Sequence, residues 1–549
     1  MRRRSEILLT VLLLWAVAYP ISLVFLESLR DAGAGAGTGA WSLVHLADFA
    51  GEPSEWRALW NSLWISAVSV VLSAAVGIPL GFVFELFEFP GRKVLGALVA
   101  LPVVLPPLVG VIAFLFLYGE SGFVPRMVQG ALALDDAPWR LTGAPAILLV
   151  HTYSMSVFFY LFTRAGLAKL DASMIEAAHS LGVRGFGVVR RVTLPLLRPQ
   201  LAAAGLLVFM TSLGSFSAPF LFGGNFRVMT TQIYASKLNG NFGASMVETS
   251  ALAIIALFGL FLLRRMQGER SVVAVGKGVT HAPKLITRPA ARVLASLSGW
   301  VLALVLLLPH LTLMLISLVP RGTWTNQIVP PVYSFVNYVS LITQPERFRP
   351  MFNSLWMAAL STVLVIGIAV WAGRQIVQRK ARWQRGIETL LHVPWAIPGT
   401  VLAISLATVF SVNAPWFGRL VLVGTAAILP FAYVVRNIPV ASGSIVAGFR
   451  QLDPSLEEAA GSLGAGRWRT LRRITMPLLR PAILAGGALA FATAVGDFVT
   501  SIILYTFETR PISIEILAML RQNDLGVAAA YGVFLMVIST AAMAAGTKR

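Results

Sequence analysis

The chain has 549 residues, 57% of them hydrophobic and only 12% charged, with a net charge of +20. So little polar material cannot cover a soluble globule of this length, which assigns the chain to a bilayer. It contains no cysteine, so disulfides and thiolate metal sites are excluded.

A spanning helix needs roughly 20 mostly apolar residues. Twelve stretches meet that demand: 7–29, 61–86, 95–118, 145–163, 201–222, 247–263, 293–319, 353–373, 388–411, 418–435, 482–504 and 527–546. Arg2, Arg3 and Arg4 precede the first, which lacks a small-residue cleavage pattern and reads as a retained helix. With the N-terminus cytoplasmic, the segments on that side of the membrane carry 32 of the 44 Lys and Arg residues. That excess is a topology signal that puts both termini in the cytoplasm. The basic residues suit anionic lipid heads, and nucleic acid is not an expected partner.

Six spans run to Leu263, and 264–292 reads as a basic cytoplasmic linker. Six more spans fill 293–549. The second half echoes the first: Asn61-Ser62-Leu63-Trp64 returns as Asn353-Ser354-Leu355-Trp356, and Pro102 and Pro106 return as Pro394 and Pro398, both at an offset of 292. Farther on the offset is 282, so ten extra residues are expected in the first half, in the outer loop around 119–144. The fold class expected is an all-α integral membrane protein of about 12 transmembrane helices. They form two six-helix parallel repeats about a pseudo-twofold axis along the membrane normal, unlike inverted repeats. The prolines of spans three and nine should kink or break their helices, either to pack or to bend around a central cavity. The outer loops are too short to form a solute-binding domain.

One stretch is repeated with unusual fidelity. Asp171–Pro199 and Asp453–Pro481, both polar and both on the cytoplasmic side, are identical at 16 of 29 aligned positions. In each, S-x-x-E (Ser173 to Glu176; Ser455 to Glu458) reads as a capping box that starts a short helix. Gly182 and Gly464 suit a left-handed C-terminal cap. Such a helix is marginal alone, so it needs packing on one side, and Ala177, Ala178, Ala459 and Ala460 offer a smooth face to another protein. Arg190-Arg191 and Arg472-Arg473 follow, and the paired prolines of P-L-L-R-P stiffen the lead into spans five and eleven. A push on the short helix would therefore reach the span.

This pattern resembles the EAA motif of permease subunits of binding-protein-dependent ABC importers: Glu176-Ala177-Ala178, Gly182 and Val192-Thr193-Leu194-Pro195, then Glu458-Ala459-Ala460, Gly464 and Ile474-Thr475-Met476-Pro477. Val192 and Met476 depart from the family's Ile and Leu, conservatively in size. The resemblance covers nearly the whole chain as two fused permease units. It implies that each segment is a coupling helix seated in an ATP-binding subunit, with two such subunits at the cytoplasmic face of a bacterial inner membrane. It also implies that an extracytoplasmic protein captures the solute.

No phosphate-cradling G-x-x-x-x-G-K-[ST] loop occurs, so ATP and Mg²⁺ would be bound by those partner subunits and this chain would not itself be an enzyme. No metal-ligand cluster and no Ser/His/Asp set is evident. Polar residues inside spans are candidates for a translocation pathway: Ser215 and Ser217 in span five, Asp497 and Thr500 in span eleven. Asp497 has a second reading, as a buried partner of a hydroxyl or arginine, and His151 reads as structural. Single-chain fusions of this type are similar to ferric-iron and thiamine importers, with polyamine, phosphonate and sulfate relatives. Ser212–Gly240 looks most like the ferric-iron group. The competing class is an ion-coupled secondary transporter, which would have no use for two docking helices.

Overall fold

The computed structural model describes residues 2–31, 40–103, 105–268, 284–285, 289–324, 327–377, 381–411 and 420–547. Most of the expected 264–292 linker therefore falls outside the described residues. Eleven helices are long and apolar enough to span a membrane, or twelve if one bent pair counts as a span.

The main helices of the first half are α1 (Arg4–Glu27), α2 (Pro53–Leu86), α3 (Arg92–Val99), α4 (Pro107–Tyr118), α5 (Gly143–Leu167), α6 (Ala172–Ser180), α7 (Leu194–Leu213), α8 (Ser217–Phe222), α9 (Met229–Leu238) and α10 (Phe242–Gly268). Those of the second half are α11 (Pro289–Ser317), α12 (Pro345–Val377), α13 (Ala381–Ala396), α14 (Gly399–Ser411), α15 (Ile428–Gln451), α16 (Pro454–Ser462), α17 (Met476–Val495), α18 (Val499–Leu504), α19 (Ile512–Arg521) and α20 (Leu525–Thr547). The two sets match one to one in order. Most of the first half's extra residues lie between α4 and α5, where a further helix, Phe123–Ala131, is inserted.

Within each half, three long helices pack together: α2, α5 and α7, then α12, α15 and α17. The sequence of α2 explains its fit. Ser62, Ser66, Ser69, Ser73, Gly77 and Gly81 recur every three or four residues and are buried, a stripe of small residues that lets backbones approach closely in a bilayer. A Cβ on Gly77 would lie 2.2 Å from the Ser156 carbonyl oxygen, and one on Gly81 would lie 2.6 Å from Thr163 Cβ.

The halves are joined reciprocally. The first helix of each packs on the broken pair of the other half, α1 on α13 and α14, and α11 on α3 and α4, while also contacting the last helix of its own half. Ser5 Oγ accepts from Trp371 Nε1 at 2.9 Å, and Tyr153 Oη donates to the Leu306 carbonyl at 2.8 Å. Reciprocal exchange of this kind is what a twofold relation between parallel repeats produces.

Several spans differ from expectation. Spans three and nine are each two helices, because prolines remove the donors that would continue them; the second pair turns by 105° between Ala396 and Gly399. Spans five and eleven also break, after Leu213 and after Val495. Span ten runs Ile428–Gln451 instead of 418–435. Its polar residues Arg436, Asn437 and Ser442 lower its apparent hydropathy, yet they sit within the protein rather than against lipid.

Candidate functional site

The two repeated segments adopt the same local structure. In each, the aspartate and not the serine caps the helix: Asp171 Oδ1 accepts from Ser173 N at 3.0 Å, and Asp453 Oδ1 accepts from Ser455 N at 2.9 Å. The expected Ser–Glu capping box is thus replaced by an Asx cap two residues earlier, since aspartate in an extended backbone can reach the same orphan amides. That bond holds the Asp453 carboxyl below its ordinary pKa.

The C-terminal ends follow a Schellman pattern. Gly182 N donates to His179 O and Val183 N to Ala178 O; Gly464 N donates to Gly461 O and Ala465 N to Ala460 O. Gly182 and Gly464 have φ of +80° and +77°, a region that only glycine enters without strain. Neither glycine has a neighbour that a Cβ would meet.

Both expected glutamates, Glu176 and Glu458, point to solvent. The alanine pairs divide: Ala177 and Ala459 are exposed, whereas Ala178 and Ala460 are buried against their own chain. The smooth face is therefore half as wide as expected. The unaccounted apolar surface lies just beyond the helices, at Leu181 and Leu463, 83% and 88% exposed, and at Phe186 and Trp468, 78% and 73% exposed. These pairs share the 282 offset of the repeat, which was the signal available in the sequence.

In each segment the short helix is joined by a tight turn, 181–185 or 463–466, to a second helix that continues into the span that follows. Helical structure runs unbroken over Phe186–Leu213 and Trp468–Val495. A π turn at Val189–Thr193 and another at Leu471–Thr475 fall where the rings of Pro195 and Pro477 would otherwise meet the carbonyl four residues back. In the second half Thr475 Oγ1 also donates to Glu457 Oε1 at 2.9 Å, tying α16 to the base of α17. In the first half Ile175 takes that place and faces an apolar cavity of about 710 Å³.

At the far ends of α7 and α17 the spans break at Gly214 and Gly496. A Cβ on Gly214 would lie 3.4 Å from Pro398 Cα, and one on Gly496 would lie 2.6 Å from Pro106 Cβ. Each break thus abuts the proline break of the opposite half. Between them Phe216 and Phe498, equivalent residues, approach to 5.8 Å between ring centroids, and Phe220 stacks on Phe216 at 5.1 Å. Both Phe216 and Phe498 are buried, so an aromatic layer closes the space between the halves.

Beside this layer is a cavity of about 330 Å³ lined from both halves, with Pro106, Ser217, Pro398, Arg436 and Asp497 in its wall. The expected pathway residues are therefore divided. Ser217 and Asp497 line the cavity. Ser215 is bonded to His151, its Oγ 2.9 Å from Nε2. Thr500 is fully buried behind Asp497.

Asp497 lies in the cavity wall and, as its second reading expects, pairs with an arginine: Oδ2 lies 3.1 Å from Arg436 Nε in an ion pair, while Oδ1 accepts from Thr500 N at 2.9 Å and Ser501 N at 3.2 Å. Arg436 falls one residue past the expected end of span ten, 418–435, and so on its cytoplasmic side, whereas the helix runs on to Gln451. His151 is structural, as expected: its Nδ1 lies 3.0 Å from Ser69 Oγ and 3.1 Å from Ser212 Oγ. Glu85 and Glu88 pair with Arg164 and Arg92. Among the described residues there is no group of three or more His, Cys, Asp or Glu side chains placed to hold a metal.

The sequence model of the family described as binding-protein-dependent transport system inner membrane component matches residues 77–268 and 364–547, once in each half. Among curated proteins, the chain is 30% identical to the probable ABC transporter permease protein y4fN of Sinorhizobium fredii, over 84% of this chain and 81% of that protein. It is 27% identical to the ferric transport system permease protein FbpB of Actinobacillus pleuropneumoniae, over 97% of this chain and 76% of that one. It is 26% identical to the thiamine transport system permease protein ThiP of Salmonella typhimurium, over 84% of this chain and 82% of that one.

Proposed function

The chain belongs to the family of binding-protein-dependent transport system inner membrane components, and we propose that it couples ATP hydrolysis by two separate subunits to passage of ferric iron between its halves. As an ABC importer permease it forms the membrane pathway. The observation that carries the coupling reading is the unbroken helix from each repeated segment to a broken span at the central cavity, Phe186–Leu213 and Trp468–Val495. An ATPase pressing on Leu181 and Phe186, or on Leu463 and Trp468, would move the wall of the passage directly.

In this reading both segments and both termini face the cytoplasm, supported by the concentration of basic residues there. One ATPase docks on each segment, Glu176 and Glu458 rim the contact, and Gly182 and Gly464 fix its shape. The two units divide at a linker near 264–292. ATP and Mg²⁺ belong to the ATPase, and a solute-binding protein delivers cargo from the other side.

Iron is favoured as cargo by the extent of the similarity to the ferric permease, 97% of this chain. Thiamine is the second candidate, since its permease is 26% identical. Uptake of radioactive iron and of thiamine by cells with and without this chain tests the cargo. Coupling is tested by Gly182→Asp and Gly464→Asp, which should insert normally yet lose ATPase docking or its stimulation. Normal transport by both variants would refute it, as would uptake driven by a proton gradient without any partner.

A further inference from the structure

Arg436 and Asp497 are the two charged residues in the wall of the central cavity, and they are not equally available. Every oxygen of Asp497 is engaged, by Arg436 Nε and by two backbone amides of α18, and its side chain is 3% exposed. A carboxylate this buried, already paired with a guanidinium, is poorly placed to take up a cation. Arg436 is the opposite case. Its side chain is 34% exposed, only Nε is engaged by Asp497, and among the described residues its two Nη groups have no partner. A guanidinium carries five N–H donors in a planar fork, and the four on Nη1 and Nη2 suit the oxygens of an oxyanion or carboxylate.

Three further features agree. Gly399 makes room for the fork, because a Cβ there would lie 1.8 Å from Arg436 Nη1. The first turns of α4 and α14, helices of 12 and 13 residues, border the cavity at Pro107 and Gly399, so two positive helix ends face it. Ser217, only 4% exposed, lines the same wall and its hydroxyl has no hydrogen-bond partner.

We infer that this cavity is a solute subsite for a small anion, or for the anionic group of a larger complex, held by the Arg436 fork. The inference rests on reading the chain as an importer permease, and not on iron as its cargo. A bare trivalent cation would meet a guanidinium and two positive helix ends, so iron would cross here only within an anionic complex.

The absence of cysteine provides the test. Thr493 lies in the cavity wall and is exposed, so Thr493→Cys supplies a single thiol there. The full chain in lipid nanodiscs is treated with a sulfonate-bearing and with a trimethylammonium-bearing methanethiosulfonate, each rate being normalised to a free thiol. The anionic reagent should lead by about tenfold. The lead should vanish in Arg436→Gln combined with Asp497→Asn, which keeps the site neutral and avoids stranding a buried carboxylate. An equal or faster cationic reagent, or a lead that survives the double variant, overturns the inference. A protein that docks its ATPase and imports solute yet prefers the cationic reagent overturns this inference alone. Failure to dock any ATPase, with the anionic lead intact, overturns the importer reading instead.

Discussion

At the break after α7, Ser215 is held by an imidazole, His151, itself bonded to Ser69 and Ser212. At the equivalent break after α17, Asp497 is held by a guanidinium, Arg436. The backbone solution is the same in both halves: glycine, two residues of irregular chain, then a six-residue helix. The polar chemistry at the two breaks is not. His151 and Arg436 are each two turns in from the start of the helix that leads into a repeated segment. Duplication has therefore kept the helical connection between repeated segment and cavity, while one half alone carries charge into the cavity.

That asymmetry can be broken from its charged side first. Arg436→Gln leaves a buried carboxylate without its counter-ion and should destabilise the protein by about 3 kcal/mol, with transport lost. Adding Asp497→Asn should recover most of the stability but not transport. Denaturant unfolding in detergent and uptake in proteoliposomes measure the two effects. A single variant as stable as the parent would show that the pair is not coupled.

Gly399→Ala sharpens the comparison without removing a charge. Its Cβ would displace the guanidinium, at a cost of about 2 kcal/mol for overpacking, and transport should fall as it does for Arg436→Gln. The first-half counterpart, Pro107→Ala, faces no guanidinium and should leave transport near normal.

His151→Ala should cost about 1–2 kcal/mol by stranding Ser69 and Ser212. It should leave the relative labelling of Thr493→Cys by anionic and cationic reagents unchanged, because the first half carries no charge to this cavity. A changed ratio would mean that the two breaks are electrostatically coupled.

The smallest effects concern the caps, where the halves agree. Asp171→Ala and Asp453→Ala each remove one Asx cap and should weaken ATPase docking by about fivefold, equally in the two segments. Binding of the purified ATPase to each variant measures this. The Asp453 carboxyl lies below its ordinary pKa, so its contribution is present above the unfolded value and is lost only as pH falls through the lowered one. Docking should therefore be flat from neutral pH down to about pH 5.

The duplication, the span count and the shape of the repeated segments were legible because they rest on period and on identity at fixed offsets. Gly182 and Gly464 were legible for a related reason: a glycine after a capped short helix has few roles besides a left-handed residue. What escaped depends on neighbours. Arg436 was misplaced because hydropathy scores a side chain without knowing whether it faces lipid or protein, and α15 is buried along most of its length. The breaks at Gly214 and Gly496 escaped because glycine is common within spans, and only the facing Pro398 and Pro106 show why these two end a helix. The cap went to aspartate over serine because both residue types can cap and they stand two residues apart. Leu181 and Leu463 were visible as identities, but their exposure was not.

The central claim is that force applied at the two repeated segments reaches the cavity through continuous helices. Labelling of Thr493→Cys in the full chain with its ATPase, before and after trapping with ATP and vanadate, tests it directly. Trapping should change the rate severalfold, and Gly182→Asp with Gly464→Asp should abolish that change. A rate that changes equally with both glycines replaced, or that never changes while transport proceeds, would contradict the account.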